Sequence, residues 1–407
     1  MKFNSAVFAA TALVLAACGG GGSSNNPEPP VLQSGQADLT YGVSGKATFD
    51  AAEVMVGAAA DDSGNVYVVG NSVVKLDRSG ARVSGYGGPI SPPEASPLLD
   101  GAGGMWTISN GAVVKRDANG QLATSFGNAG RVQITPFPGS TGVDDRLLRL
   151  HRTPDGHILV VGAIPGFAIH SGWIVSLALM DAGGNLVQGF GTGGRKVTTG
   201  FSSVRDFAST LDAQGNLYVV TRGPIGGVML RKVDPNGDFI ADFATIGFWF
   251  GPLDCDAFNG SAVAVLSTGE VLLSTTCAPD QNIRVLKLDS QGVPVGAFGS
   301  GGSVDPFGRI ASIGAILPAA DGSIYVAGTS LVNACQQLAI AKLSANGALV
   351  PSFGTAGVVL TGIPAQYGTK LLALDGTGSL YAGTVSAPPV CLVDSQQHPY
   401  VISRFAR

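Results

Sequence analysis

Residues 154–163 read PDGHILVVGA, and after a variable insert residues 174–194 read IVSLALMDAGGNLVQGFGTGG. Two short apolar runs rich in β-branched residues are each bounded by Gly-containing turns, which is the pattern of short strands. Turn signals such as Asp117-Ala118-Asn119-Gly120, Asp234-Pro235-Asn236-Gly237 and Asp321-Gly322 recur along the chain. Asn and Gly tolerate the positive φ that tight turns need. The same unit returns as GNVYVVGNSVVKLDRSGARVSGYGG at 64–88 and as GGMWTISNGAVVKRDANGQLATSFGNAG at 103–130. It appears again within 214–243, 268–302, 321–357 and 378–407. No apolar period of 3.6 residues persists, so each unit reads as about four short antiparallel strands, named a (inner, such as Leu147–His151) to d (outer).

Counting the parts predicts how the chain closes. Seven KLD-type strands centre near Lys75, Lys115, Leu179, Lys232, Lys287, Lys342 and Arg404. Seven FG-type endings fall at Tyr41, Tyr86, Phe126, Phe190, Phe243, Phe298 and Phe353. The first ending, ADLTYGVSG at 37–45, has no b or c strand before it, and the last unit stops at Arg407 with no d strand after it. A ring solves both, with the N-terminal segment supplying the outer strand of the last blade and removing an exposed sheet edge. The expected fold is all-β: a seven-bladed β-propeller of four-stranded antiparallel blades over 37–407, closed by an N-terminal outer strand.

These units resemble the bacterial delta-sixty repeat: a DG-type turn, a YVVG-like strand, a KLD-like strand, a DANG-like turn and an SFG-x-x-G ending. The resemblance covers almost everything after residue 37 and implies the same propeller plan. Unit four departs at Phe243-Ala244, where Phe-Gly is the rule, and unit seven lacks the ending.

Composition narrows the function classes. Of 407 residues 45% are hydrophobic and only 13% charged, which excludes a disordered chain. The formal net charge of −4 gives little counterion-release drive for nucleic acid.

The N-terminus reads as an address. An apolar stretch from Ala6 to Ala17, preceded by Lys2, is too short to span a membrane and suits a signal peptide. It ends Leu15-Ala16-Ala17-Cys18-Gly19, which resembles a bacterial lipobox. The resemblance implies cleavage after residue 17 and lipidation of Cys18. Residues 18–36 then form a Gly-, Ser- and Pro-rich tether. Gly19 stands where an Asp commonly retains such lipoproteins at the inner membrane. The expected location is therefore the outer membrane, on its periplasmic side or at the cell surface, with a monomeric body anchored by lipid.

Besides Cys18 the chain has Cys255, Cys277, Cys335 and Cys391. An even number in an exported chain suggests disulfides, and four cysteines allow three pairings. On the propeller plan Cys255 lies in the connection entering blade five and Cys277 at the start of its b–c loop. Cys335 and Cys391 lie in the b–c loops of neighbouring blades six and seven. The expected pairs are Cys255–Cys277 and Cys335–Cys391. Metal-ligand spacing and nearby His are missing from all four.

Functional chemistry is sparse. A polar residue precedes each inner strand: Glu53, Asp145 with Arg146, Arg205 with Asp206, Asp256, Arg309 and Lys370. In a propeller these ring the channel mouth, where Arg146, Arg205, Arg309 and Lys370 would hold an anion or polar ligand. The competing reading, which the mixed signs suit better, is charge pairs and turn caps at strand ends. Asp144-Asp145 with Asp206 or Asp256 is a candidate Ca²⁺ site, and convergence of Glu53, Asp145, Asp206 and Asp256 on one cation would favour an enzyme; no other cofactor or metal is expected. His151, His157, His170 and His398 are dispersed, and no G-x-S-x-G nucleophile elbow occurs. Trp106, Trp173 and Trp249 fall on or beside strand segments and read as blade packing ahead of a sugar-stacking platform; Phe248-Trp249-Phe250 is the densest aromatic cluster and, if exposed, the best contact for a partner or carbohydrate.

The resulting expectation is a lipid-anchored, non-catalytic envelope binding module. It would present its loop face to an envelope protein, peptide or glycan. The alternative is a propeller enzyme, a lactonase-like hydrolase or sugar-acting lyase, with a metal or an acid/base pair in the central channel.

Overall fold

The computed structural model describes residues 32–50, 53–142, 144–165, 173–198, 207–222, 227–251, 255–256, 262–277, 282–308, 310–332, 335–365, 369–386 and 399–407. The side chains of Thr245, Asp256, Thr276, Asn282, Ile310, Ala311 and Lys370 fall outside that description. Seven antiparallel sheets form a seven-bladed β-propeller. Blade three shows the plan: inner strand Arg146–Arg152, then Ile158–Pro165, Trp173–Met180 and outer strand Arg195–Val197. Blade five alone has its inner strand in two described pieces, Cys255–Asp256 and Val263–Val265, both paired with Val271–Cys277.

The ring closes as the half-units required. Blade seven takes its inner three strands from Thr369–Leu374, Leu380–Val385 and Tyr400–Phe405, and its outer strand from Lys46–Thr48. Lys46 pairs with Ser403 and Thr48 with Val401. The outer strand thus follows the 37–45 segment instead of lying within it. That segment supplies the closing contacts: Arg404 Nε donates to Asp38 Oδ2 at 3.0 Å, and its guanidinium lies 5.3 Å from the Tyr41 ring centroid. Burial pushes the Asp38 carboxyl up, but hydrogen bonds from Thr40 and Arg404 outweigh it and hold Asp38 below the usual range.

The core lies between blades. Strand b of blade one, Val66–Gly70, is buried at every position. Val66 and Val68 pack toward blade seven, whereas Tyr67 and Val69 pack toward blade two. Both faces of a blade are covered by neighbours, so its middle strands read as continuous apolar runs instead of alternating ones.

Side-chain pairing explains the repeat signature. Tyr67 stands across from Lys75, Trp106 from Lys115, Tyr218 from Lys232, Tyr325 from Lys342 and Tyr381 from Arg404. The Lys nitrogens sit over those rings, at 5.0 Å for Lys75 and 3.5 Å for Lys115. In blades one, four, six and seven the ending aromatic meets the strand-b ring edge-on, with centroids 5.9 Å apart for Tyr67–Tyr86 and 5.7 Å for Tyr325–Phe353. Leu272 takes the ring's place in blade five, where Lys287 stays and pairs with Glu270 at 2.9 Å. Blade three has neither partner: Leu159 faces Leu179.

Outside blade three, the residue after the ending aromatic stitches its blade to a neighbouring segment. Gly42 N–H donates to Ser79 O at 2.6 Å, Gly87 N–H to Asn119 O at 2.9 Å, and Gly299 N–H to Asn346 O at 2.8 Å. Ala244 makes the same bond to Gln291 O at 2.8 Å, held at a φ of 52° that glycine would adopt more cheaply. Between blades three and four the acceptor Asn236 O takes the Lys196 Nζ instead, at 3.0 Å.

Candidate functional site

The two faces of the ring are built differently. One carries the a–b and c–d turns, most of them D-x-x-G-x. In 77–81 Asp77 Oδ1 accepts the N–H groups of Ser79 (2.8 Å) and Ala81 (3.1 Å), while its carbonyl accepts from Gly80 at 2.9 Å. Gly80 has a φ of +83°, and a Cβ there would come within 2.7 Å of Gly42 N. Asp117, Asp212, Asp234, Asp289 and Asp375 each take backbone N–H bonds in the same way. This face is uniform because each turn satisfies its own polar groups.

The opposite face carries the longer connections and the disulfide. Cys255 and Cys277 are bonded, as the propeller plan predicted. Cys255 lies on a short strand paired directly with Cys277, and not in an irregular connection. Cys335 opens the c strand of blade six and is disulfide-bonded, so it belongs to a strand and not to the b–c loop. Cys18 and Cys391 lie outside the described residues.

The described members of the channel-mouth set are engaged locally. Glu53 forms a salt bridge with Arg82, whose Nη1 donates to Oε1 at 3.0 Å; that bond holds the Glu53 carboxyl below its usual range. Asp145 Oδ2 accepts the Phe137 N–H at 2.8 Å, and Asp145 Oδ1 accepts the Ser140 hydroxyl, capping the 137–140 turn. The Arg146 guanidinium stacks 4.4 Å from the Trp173 ring centroid. Arg205, Asp206 and Arg309 lie outside the described residues, as do the side chains of Asp256 and Lys370. No group of three or more His, Cys, Asp or Glu placed to hold a metal occurs among the described residues. No helix among them is long and apolar enough to cross a membrane.

The aromatic cluster is packed. Phe248–Phe250 is the outer strand of blade four; Trp249 is buried, and the Arg231 guanidinium lies 4.6 Å from the Phe239 and 4.8 Å from the Phe248 ring centroids. Stacking of a cation on these rings uses the surface that a sugar would need.

The residue that sequence reading missed is Arg149. It lies on the inner strand of blade three, directly after a β-bulge at Leu148. A bulge re-aims the side chain next to it. Arg149 pairs with Val161, and the equivalent inner positions of other blades are Gly57, Ala95, Ala208, Ala315 and Leu371. Arg149 is open to solvent, yet burial lowers its guanidinium from the usual range. Arg149 is thus an exposed cation on an innermost strand, the strand nearest the ring axis. No carboxylate among the described residues pairs with it. Two residues on, His151 Nε2 lies 2.8 Å from Ser209 Oγ, and burial together with Arg149 pushes its imidazole down to about 4. The available signal was RLLRLHR at 146–152, three arginines on a strand whose counterparts are small and apolar.

No protein-family model and no curated protein sequence matches the chain. Solved structures similar to it include a streptogramin B lyase, at 12% identity and a TM-score of 0.47, covering 86% of this chain and 94% of that one. A polysaccharide lyase is 11% identical with a TM-score of 0.44, covering 85% and 90%. The PQQ-bound aldose sugar dehydrogenase from Streptomyces coelicolor is 14% identical with a TM-score of 0.42, covering 76% and 94%.

Proposed function

We propose that this chain is a lipid-anchored binding module of the bacterial cell envelope, held at the outer membrane through Cys18 and the 18–36 tether. Its loop face and channel mouth receive an anionic ligand, foremost an acidic glycan. The observation that carries this reading is Arg149, an exposed cation on an innermost strand without an acid partner among the described residues, at a ring position otherwise small or apolar. A guanidinium offers five N–H donors in a fork that matches a carboxylate or sulfate. The disulfide Cys255–Cys277 braces the same face, and a rigid rim lowers the ordering cost of binding.

The test is a thermal-shift comparison of the full chain with polygalacturonate, a heparin fragment and neutral dextran. A ligand at a hundred times its Kd stabilises the native state by about 2.7 kcal/mol. The expected result is a Tm rise with at least one polyanion, none with dextran, and loss of the rise in Arg149→Gln. No rise with either polyanion, or an equal rise in Arg149→Gln, overturns the reading.

A further inference from the structure

The turn face carries a hollow apart from Arg149. A cavity of about 240 Å³ opens between blades three and four, floored by Leu159, Leu179, Phe190 and Leu217 and rimmed by Asp155 and Asp234. We propose that this cavity binds a small arylalkylamine, its ring on the leucines and Phe190 and its ammonium between the two rim carboxylates.

Three observations carry the assignment. The first is register. The cross-strand position filled by Leu159 and Leu179 holds an aromatic ring, a cation or both in every other blade. Blade three keeps the ending aromatic, Phe190, but neither the strand-b ring nor the strand-c cation stands beside it. The ligand therefore carries what the blade lacks, a ring and a cation. The second is size. An apolar cavity of about 150 Å³ lined by Leu, Ile and Phe stays dry and binds benzene. One of about 240 Å³ takes a ring with a short arm, a small molecule instead of a segment of chain. The third is charge. Asp155 shares its Oδ2 with His157 Nδ1 at 2.8 Å, and Asp234 holds its own turn through Oδ1, leaving Oδ2 with one side-chain amide at 3.3 Å. A carboxylate has about four lone-pair positions, so both acids keep room for an ammonium. The seam is also open here: the blade-to-blade bond that Gly42, Gly87 and Gly299 make elsewhere is replaced by Lys196 Nζ on Asn236 O.

The experiment is calorimetry of the full chain with tyramine and with 4-hydroxyphenylacetate, the same ring carrying the opposite charge. Methyl NMR of the wild-type chain accompanies it. Tyramine is expected to bind at least tenfold more tightly than the acid and to shift the Leu159 and Leu179 methyl resonances. Leu159→Tyr/Leu179→Lys, which restores the repeat pair, is expected to abolish binding. Should that variant fail to fold, Asp155→Asn/Asp234→Asn on the rim must weaken tyramine at least fivefold. The proposal is overturned if millimolar tyramine does not bind, if the acid binds as well, if the leucine methyls do not move, or if binding survives the restored pair or, where that variant does not fold, the neutralised rim.

Discussion

The seam between blades one and two and the seam between blades three and four share a backbone register and differ in what fills them. In the first, Glu94 is 1% exposed and Arg116 5%, and they meet through Arg116 Nε to Glu94 Oε2 at 2.8 Å and Nη2 to Oε1 at 2.6 Å. The Thr107 hydroxyl adds a third bond to Glu94 at 2.7 Å, and Arg116 Nη1 reaches Gly120 O at 2.9 Å. In the second, leucine faces leucine across the strands and a cavity remains. The propeller therefore tolerates very different seams, because hydrogen bonds within each blade and the D-x-x-G-x turns hold the frame independently. Departures from the repeat are then where function has room to settle.

The comparison breaks most visibly at Glu94. Removing one partner of a buried pair leaves the other charge uncompensated, at about 3–5 kcal/mol. Glu94→Ala is expected to lower the denaturant midpoint by that order, and Glu94→Ala/Arg116→Met to recover most of the loss. A fall under ~1 kcal/mol would place water, not the carboxylate, as the real partner of Arg116.

On the other side of the ring the comparison is sharpened by pH. His151 is neutral in the fold, its imidazole moved from 6.5 to about 4. Between those values the unfolded chain binds a proton that the native state refuses. The stabilisation is present in full above 6.5 and is lost as pH falls toward 4, by up to about 3 kcal/mol. Urea titrations across that window are expected to show the fall, and His151→Phe to flatten it. An anion bound at Arg149 should offset part of it, because Arg149 is the second cause of the depression.

The smallest effect belongs to Lys115. Its ammonium sits on the Trp106 ring and pairs with Asp100, with side chains 13% and 15% exposed. Lys115→Leu moves blade two toward the blade-three pattern and is expected to cost about 1 kcal/mol. An NMR titration should then find the Asp100 carboxyl raised. Burial already pushes it up, and the Lys115 bond is the largest of the effects that now hold it low.

Much of the frame was legible because its causes are local. The D-x-x-G-x turn satisfies its own backbone within five residues, so Asp77 to Ala81 announces itself. Covering both faces of a blade leaves runs such as Val66–Val69, and a half-unit at each end is arithmetic that only a ring resolves. The Cys255–Cys277 pair followed from adjacency on that ring. At the channel mouth the partners were not legible. Glu53, Asp145 and Arg146 stand where the pattern put them in sequence, but their partners Arg82, Ser140 and Trp173 come from outer segments or connections. Glu94 was missed because burial of a charge depends on the neighbouring elements that cover it.

By itself the sequence determined the blade count, the strand order and the closing strand, since these follow from short-range turn chemistry and apolar runs repeated along the chain. Only the tertiary structure decided which charges are paired, that Arg149 follows a bulge and stays exposed on an innermost strand, and that two leucines leave a hollow between blades three and four. Those outcomes rest on contacts between side chains far apart in sequence, where each blade's chemistry is completed by its neighbour.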